Sequence, residues 1–246
     1  MEDVAFLLVS KFDSIIRLEN ALFVSNYLIT NFHAKVYFWE ISEYNNGIFK
    51  KLMPAGVNYS FVEDKDPILH RTYYINKMVE CVKEKYISIW DVDVVIPTEQ
   101  ITKAVSFLEK GYDFVLPYEF HFYDTTEEIR SIFMKEMDVE ILKLYKKFMI
   151  ELYRPKPVGG VFFANRKSYI ECGKENENFY GWGVEDGERY LRWQSKNKKI
   201  VHVQGDLFHL THPRGINSKM LSRDESIIKQ RIFLSSYRGV RWNINC

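Results

Sequence analysis

The sequence predicts an α/β fold, a mixed and mainly parallel sheet flanked by helices, from two observations. Apolar runs such as Val4 to Val9 and Tyr86 to Trp90 are continuous rather than alternating. Such runs are typical of strands that are buried on both faces. The first 40 residues read as strand, helix and strand, an order that implies parallel neighbours. In such sheets, ligands bind at the carboxyl ends of the strands.

The remaining elements follow from their patterns in chain order. Further strands are expected at residues 35–40, 57–62, 112–117, 158–166 and 199–203, and helices at 17–31, 66–85 and 99–109. Residues 124–153 are charged but carry an apolar stripe, which predicts a helical insertion that packs on the core through Ile129, Phe133, Ile141, Leu144, Phe148 and Leu152. The tail from Leu221 to Cys246 is favoured as a packed helix, although its basic residues could also touch an anionic membrane surface.

Composition excludes several classes of protein. Charged residues make up 27% and apolar residues 46% of the chain, which is typical of a folded globular protein. The 34 basic and 33 acidic residues nearly cancel, so nothing indicates a nucleic-acid binder held by bulk charge. Three cysteines without metal-ligand spacing favour a reducing compartment. With no signal peptide at its acidic start, we expect a soluble, cytoplasmic protein.

Asp91 and Asp93 stand at the end of the most apolar strand, in the stretch YISIWDVDVVIP. Strand alternation would send both side chains to the same side, where they could hold one cation or its bound water. Buried carboxylates are costly unless a cation or hydrogen bonds compensate them. Solvated acids at a polar strand end are the equally weighted alternative, because this triplet is common.

Five more residues are candidates on the same side of the sheet. Phe12 and Asp13 follow the first strand and Glu40 ends the second, so all three would face the crevice beside Asp91. Arg71 and Asn76 lie near the start of a helix, where free N–H groups and the helix dipole favour anions. A structural or surface role is the alternative for each of them.

The stretch NFYGWGVEDGERYLR holds a second group of candidates. Gly181 and Gly183 flank Trp182, which predicts an indole ring on a flexible turn, suited to stacking on a sugar. Glu185 and Asp186 fall in the first turn of the next helix, where the dipole stabilises negative charge. Simple capping of that helix is the alternative for the two acids.

Two further motifs complete the set. Gly159 and Gly160 open a strand and would allow a ligand or another backbone to approach closely. His209 and His212, in the stretch FHLTH, are close enough for one or both to bind a metal ion through neutral imidazole. A lone histidine here would be structural more often, but two of them beside a pair of aspartates make a plausible cation site.

These stretches, in this order, resemble the GT-A-fold glycosyltransferases, and most closely the β-1,4-galactosyltransferase-like group. The resemblance covers most of the chain and rests on residues 69–97, 158–173, 179–193 and 208–212. It implies a single Rossmann-like GT-A domain over 1–246. Residues 1–118 would bind the nucleotide sugar, and residues 119–246, with the insertion at 124–153, would bind the acceptor.

The resemblance implies inverting transfer of a hexose or N-acetylhexosamine from a UDP-sugar to an acceptor hydroxyl, aided by a divalent cation, usually Mn²⁺. Galactose and N-acetylgalactosamine are the first candidates for the sugar. A saccharide or glycolipid is the expected acceptor, with surface polysaccharide synthesis as the setting. A metal-dependent phosphoester hydrolase and a non-catalytic carbohydrate- or nucleotide-binding module are the rival interpretations.

Residues at the positions that match the family's motifs take over the family's roles. On the donor side, these roles are contacts to the nucleotide and to the metal. Asp93 and His212 would bind the metal, and His209 stands where the family has a further ligand, a thioether in some relatives. Asp91 would contact the ribose or metal-bound water. Arg71 and Phe12 match nucleotide contacts.

On the acceptor side, the resemblance makes Asp186 the catalytic base. Glu185 would be an acid that binds the acceptor, and Trp182 the aromatic residue that stacks on the sugar. Gly160 is assigned to the acceptor side as well. The insertion at 124–153 is a departure from the animal enzymes and lies near the expected acceptor side.

Overall fold

The computed structural model describes residues 1–119 and 121–236. Its strands are β1 (Val4–Ser10), β2 (Lys35–Ser42), β3 (Asn58–Glu63), β4 (Tyr86–Trp90), β5 (Val94–Val95), β6 (Phe114–Leu116), β7 (Phe122–Asp124), β8 (Ile150–Glu151), β9 (Val161–Asn165), β10 (Ile200–His202) and β11 (Leu207–His209). The α-helices are α1 (Ile15–Phe32), α2 (Ile48–Leu52), α3 (Arg71–Cys81), α4 (Thr98–Glu109), α5 (Glu127–Glu136), α6 (Val139–Tyr145), α7 (Arg166–Glu171), α8 (Glu185–Ser195) and α9 (Arg223–Ser235).

Seven strands form the central sheet in the spatial order β10, β6, β9, β4, β1, β2, β3. All neighbours are parallel except β9, which runs antiparallel to both β4 and β6. The prediction of a mixed, mainly parallel sheet flanked by helices is therefore confirmed. Alternate residues of β1 enter two separate apolar cores, with Phe6 in one and Leu7 in the other, because successive side chains point to opposite faces.

A second sheet of four strands, in the order β5, β11, β7, β8, stands beside the carboxyl end of β4. Its middle strand β11 pairs antiparallel with β5 and parallel with β7. The pairing places His209 opposite Val94 and Asp124, and so brings the end of the chain back to the residues that follow Asp93.

The structure corrects two expectations from the sequence. The central strand ends at Trp90, so Asp91 and Asp93 lie in a turn, closed by a hydrogen bond from Val94 N to Asp91 O (3.2 Å), and not on an alternating strand. Both side chains still reach one cavity, because the turn bends the chain there.

Residues 124–153 are also not one helical insertion. Asp124 ends β7, Thr126 caps α5 by accepting a hydrogen bond from Ile129 N (3.3 Å), and a 3₁₀ turn at 146–148 leads from α6 into β8. Four of the six predicted stripe residues pack on the core: Ile129 and Phe133 are buried in it, and Ile141 and Leu152 lie against it. The other two, Leu144 and Phe148, are exposed. The break at 137–138 rotates α6 relative to α5, so the helical spacing does not continue across it.

The predicted C-terminal helix is present as α9, and the tail residues 237–246 lie outside the described part of the chain, as does Cys246. None of the helices in the described part combines the length and apolarity that crossing a bilayer requires.

Candidate active site

A cavity of about 430 Å³ opens at the carboxyl ends of β1 and β4. It brings together nine of the residues predicted from the sequence: Arg71, Asp91, Asp93, Gly160, Trp182, Glu185, Asp186, His209 and His212. Arg17, Tyr153, Lys156 and Arg214 also line it. Candidates from the two halves of the chain therefore share one site.

Asp93, His209 and His212 form a metal triad, in which one ligand atom from each residue lies within 4.8 Å of the others. Nε2 of His209 is 3.5 Å from Asp93 Oδ1, and Nε2 of His212 is 3.1 Å from Asp93 Oδ2. All three residues are buried. The triad could hold a divalent cation, and a carboxylate with two imidazoles is a donor set that transition metals accept.

The backbone assembles the triad. Leu210, between the two histidines, donates its N–H to the carbonyl oxygen of Asp93 at 2.7 Å, and β5 pairs with β11 immediately beyond. Asn20 on α1 donates its side-chain amide to Leu210 O at 2.9 Å. The positions of the metal triad are thus determined by sheet pairing and not by the side chains alone.

Hydrogen bonds at the far ring nitrogens orient both imidazoles. Nδ1 of His209 lies 2.8 Å from Asp124 Oδ1, and Nδ1 of His212 lies 2.9 Å from the carbonyl oxygen of Pro213. In a neutral ring with its proton on Nδ1, these acceptors would leave the Nε2 lone pair of each histidine free for a cation bound beside Asp93. Partners of this kind orient the histidine ligands of protein metal sites.

Charge around Asp93 favours its ionised form. Burial acts to raise the pKa of Asp93, but His209, Arg17 and His212 outweigh burial and hold that pKa well below its usual range. Arg17 Nε lies 3.6 Å from Asp93 Oδ2. The side chain of Asp93 is therefore an ionised carboxylate at physiological pH.

Asp91 has a different environment although it is only two residues away. Its carboxylate accepts a hydrogen bond from Arg71. Burial raises the pKa of Asp91, and the charges of Asp93 and Asp186 add to that effect while Arg71 opposes it. The two aspartates thus have separate partners.

The opposite wall of the cavity is the turn Gly181-Trp182-Gly183 and the start of α8. Both glycines have positive φ (71° and 103°), and so does Val184 (77°), where a β-branched residue is strained. A buried lysine on α9, Lys229, donates a hydrogen bond to Trp182 O at 2.5 Å. The indole is therefore presented on a strained turn that α9 supports.

Glu185 and Asp186 begin α8, as expected, and the N-cap position before them is occupied by Val184, whose side chain makes no capping hydrogen bond. Glu185 is buried, and its Oε2 has no hydrogen-bond partner within the part of the chain that is described. Burial, followed by the charge of Asp186, raises the pKa of Glu185 to about 7, with Arg71 opposing.

Asp186 meets the glycines that open β9. A Cβ atom at Gly159 would overlap Oδ2 of Asp186, so only glycine allows this approach. The carbonyl oxygen of Gly160 accepts a hydrogen bond from Asp91 N at 2.8 Å. The Gly159-Gly160 pair therefore joins the two ends of the site through its backbone.

Comparison with known proteins agrees with this architecture. A family model described as the N-terminal domain of galactosyltransferase matches residues 140–214, which include Gly160, Trp182, Asp186 and both histidines. Drosophila β1,4-galactosyltransferase 7, as a mutant in complex with manganese, UDP-Gal and xylobiose, superposes with a TM-score of 0.57 at 12% identity, over 92% of this chain and 79% of that one. The chain has a GT-A galactosyltransferase-like fold.

Other GT-A structures match to a similar extent. Glucosyl-3-phosphoglycerate synthase from Mycobacterium tuberculosis, in complex with Mn²⁺, UDP and phosphoglyceric acid, gives a TM-score of 0.55 at 12% identity, covering 98% of this chain and 80% of that one. The Drosophila catalytic domain with xylobiose gives 0.55 at 12% identity, over 92% and 79%. No curated protein sequence matches the chain.

Four predicted donor residues do not line the cavity of this GT-A domain. Phe12 packs on Phe38 and Phe49, with centroids 6.2 and 4.5 Å apart. Glu40 accepts a hydrogen bond from the hydroxyl of Tyr59 at 2.6 Å. These contacts are those of residues that hold the sheet edge together.

Asp13 and Asn76 are the other two. Asp13 lies against Gly215, where a Cβ atom would overlap its carboxylate, and 3.9 Å from Arg17. Asn76 is buried on α3 and binds the backbone of Glu175 through both its amide nitrogen (3.0 Å) and its oxygen (2.9 Å). Its position is one turn beyond the helix start, so it faces the core and not an anion.

Three residues that contact the predicted site residues were not themselves predicted as part of the site. Arg17 approaches Asp93, Asp124 orients His209, and Arg189 binds Asp186 at 2.5 Å. Only Arg189 had a usable signal, its i+3 spacing from Asp186 on a helix. Asp124 was expected at a helix start, and its actual partner lies 85 residues away.

Proposed function

We propose that this chain is an inverting, metal-assisted glycosyltransferase that moves a hexose or N-acetylhexosamine from a UDP-sugar to a hydroxyl of a saccharide acceptor. Galactose and N-acetylgalactosamine are the first candidates for the sugar. One observation supports this best: the metal triad and the carboxylate of Asp186 line the same cavity in a GT-A fold. Synthesis of a surface polysaccharide, by an enzyme in the cytoplasm, is the setting we propose with it.

Mn²⁺ is the cation that we propose for the triad. One carboxylate and two imidazoles suit Mn²⁺ better than Mg²⁺, which prefers oxygen ligands alone. The Drosophila and Mycobacterium structures with this fold were solved with manganese or Mn²⁺. When bound, such a cation supplies Lewis-acid stabilisation for charge that develops on a leaving diphosphate. In this chain Asp93, His209 and His212 would hold it.

The roles of the protein's own groups follow from their places. Asp186 keeps 34% of its side chain exposed and would take the proton of the acceptor hydroxyl as a general base. Glu185 would accept a hydrogen bond from an acceptor hydroxyl through its own Oε2, which is buried and has no hydrogen-bond partner in the described part of the chain. Trp182 would stack on the acceptor sugar, and Asp91 with Arg71 would face the nucleotide.

Calorimetric titration of UDP into the protein, with Mn²⁺ and again with EDTA, tests the donor half of the proposal. We expect binding only with Mn²⁺, and its loss in Asp93→Asn, because this substitution removes a charged ligand at nearly constant volume. Lys167→Met on α7 is the control, since its side chain is 86% exposed and does not line the cavity.

The second half of the test is turnover with UDP-galactose and UDP-N-acetylgalactosamine on a panel of saccharide acceptors. Metal-dependent UDP binding followed by sugar transfer supports the proposal. Turnover of a phosphoester without any acceptor would instead establish a hydrolase. Binding of UDP with no transfer of any sugar would leave a binding module and overturn the enzymatic proposal.

A further inference from the structure

Arg189 is buried between two carboxylates. Its side chain is 2% exposed, its Nη1 atom lies 2.9 Å from Glu175 Oε2, and its Nη2 atom lies 2.5 Å from Asp186 Oδ1. The guanidinium also stacks on the ring of Phe162, with 4.3 Å from Cζ to the centroid. A planar, fully charged group with three contacts of this kind has little freedom to move.

Glu175 is in turn held from the side away from the cavity. The hydroxyl of Tyr169 donates to Glu175 Oε1 at 2.7 Å, and Asn76 binds the backbone of Glu175 on both sides. The Glu175 side chain is fully buried. A continuous series of contacts thus runs from the core of the domain through Glu175 and Arg189 to Asp186.

The two oxygens of Asp186 have different surroundings. Oδ1 is bound by Arg189, and Oδ2 faces the backbone at Gly159, so the plane of the carboxylate is determined from two sides. Other charged groups that act on Asp186 are Arg71 on α3, Asp91 at the end of β4 and the adjacent Glu185. None of these is within hydrogen-bonding contact of its carboxylate in the described part of the chain.

We infer that Arg189 is a positioning residue for the proposed transfer: supported by Glu175, it holds the Asp186 carboxylate in the orientation that receives the acceptor proton. The inference rests on the proposed function. A purely structural ion pair would need only Glu175 to neutralise Arg189, and buried ion pairs are weak evidence for stability. Arg189 binds a second carboxylate, that of Asp186, and Asp186 lines the cavity.

The test removes the charged pair as a unit. Arg189→Met with Glu175→Gln leaves no unpaired charge buried. We expect kcat to fall by about 10²-fold, because a displaced general base loses its alignment. UDP affinity with Mn²⁺ and the acceptor KM should stay within about twofold, because neither depends on the orientation of the base.

The matched control is a second ion pair on the same helix. Arg192 Nε and Glu188 Oε1 are 2.9 Å apart, and neither residue lines the cavity. Arg192→Met with Glu188→Gln should destabilise the domain to a similar degree and leave kcat within about twofold of wild type. Equal loss of kcat in both double variants would show a general effect of weakening α8 and overturn the inference.

Arg189→Lys keeps the charge without the planar fork and decides the matter if the double variant does not fold. An intermediate kcat at unchanged UDP affinity supports the inference, and a wild-type kcat overturns it. Failure of the proposed function itself is seen separately, in the wild-type protein, as the absence of transfer to every acceptor. If the wild-type protein transfers sugar and the Arg189 variants do so at the same rate, only the inference about Arg189 fails.

Discussion

The two ends of the cavity are built in different ways. At the metal end, Asp93 directly precedes β5, His209 ends β11 and His212 follows it, and β5 and β11 are paired backbone to backbone. All three residues are buried. At the end that we propose for the acceptor, Gly181, Gly183 and Val184 have positive φ, Trp182 lies between the two glycines, and Glu185 and Asp186 follow directly. Sheet pairing determines the first end, whereas side-chain ion pairs and a buried lysine hold the second.

The difference indicates how each end is expected to work. A preformed set of ligands binds a cation with little rearrangement. A turn with glycines on both sides of Trp182 can adjust to a ligand. Two cations hold its surroundings: Arg189 binds the carboxylate of Asp186, and Lys229 binds the carbonyl oxygen of Trp182. We therefore expect substitutions at the metal end to affect donor binding and those at the acceptor end to affect turnover.

The largest expected effect is that of Asp186→Asn. The substitution removes the base at nearly constant shape, so kcat should fall by roughly 10²- to 10⁴-fold. UDP binding with Mn²⁺ should be unchanged, because the metal triad is untouched. Steady-state turnover and calorimetry on the same preparation measure both. Unchanged turnover would remove Asp186 from the mechanism and erase the distinction between the two ends.

A smaller effect is expected for Asp124→Asn, which acts at the metal end through His209. Loss of the carboxylate 2.8 Å from Nδ1 leaves the imidazole without its orienting charge. Mn²⁺ affinity should fall by about 10- to 100-fold. Titration of the metal into the apo protein gives the value. Asp206→Asn is the control, since Asp206 pairs with Lys146 at 2.7 Å on the surface; an equal loss of affinity there would contradict the role of Asp124.

The two ends should also respond to pH in opposite directions. The pKa of Glu185 is raised to about 7, mainly by burial, so the unfolded state releases this proton at lower pH than the folded state. The stabilising contribution is complete below the unfolded pKa and is lost as pH rises through the folded value. The depressed pKa of Asp93 acts with the reverse sign and costs stability as the solution becomes acidic.

Urea unfolding in EDTA at about pH 5 and about pH 7.5 measures the Glu185 contribution. Wild type should lose stability between the two values, and Glu185→Gln should lose less, because the amide does not titrate. An equal change in the free energy of unfolding between the two pH values in both proteins would mean that the Glu185 carboxyl is solvated in the folded state.

The smallest effect is expected for Lys229→Met. The methionine keeps the length of the side chain but removes the hydrogen bond to Trp182 O and the ion pair with Glu225 (2.8 Å). A hydrogen bond from a charged donor contributes about 1.5–3 kcal/mol. Only part of this energy acts on the position of the Trp182 ring, so the acceptor KM should rise by up to about tenfold. UDP affinity should not change. An effect on UDP binding equal to that on the acceptor KM would show that α9 supports the whole cavity and not only the acceptor end.

Chemistry that is local in the chain could be predicted from sequence alone. Continuous apolar runs determine which strands are buried on both faces, and the βαβ order determines that they are parallel. The aspartates that follow a strand, the acids that begin a helix and the histidines of the FHLTH stretch were predicted as site residues. The cavity contains Asp91, Asp93, Glu185, Asp186 and both histidines. These features depend on neighbours within a few residues, which the sequence displays directly.

Tertiary structure decided which partner each of these groups has. Asn76 and Glu40 satisfied the same local rules as the cavity residues, yet they bind Glu175 and Tyr59, because α3 and β2 turn those faces inward. Asp124 meets His209 across 85 residues, and Glu175 reaches Asp186 only through Arg189. Contacts between distant segments depend on how sheets and helices pack in three dimensions, and the residue types of a single chain leave that packing undetermined.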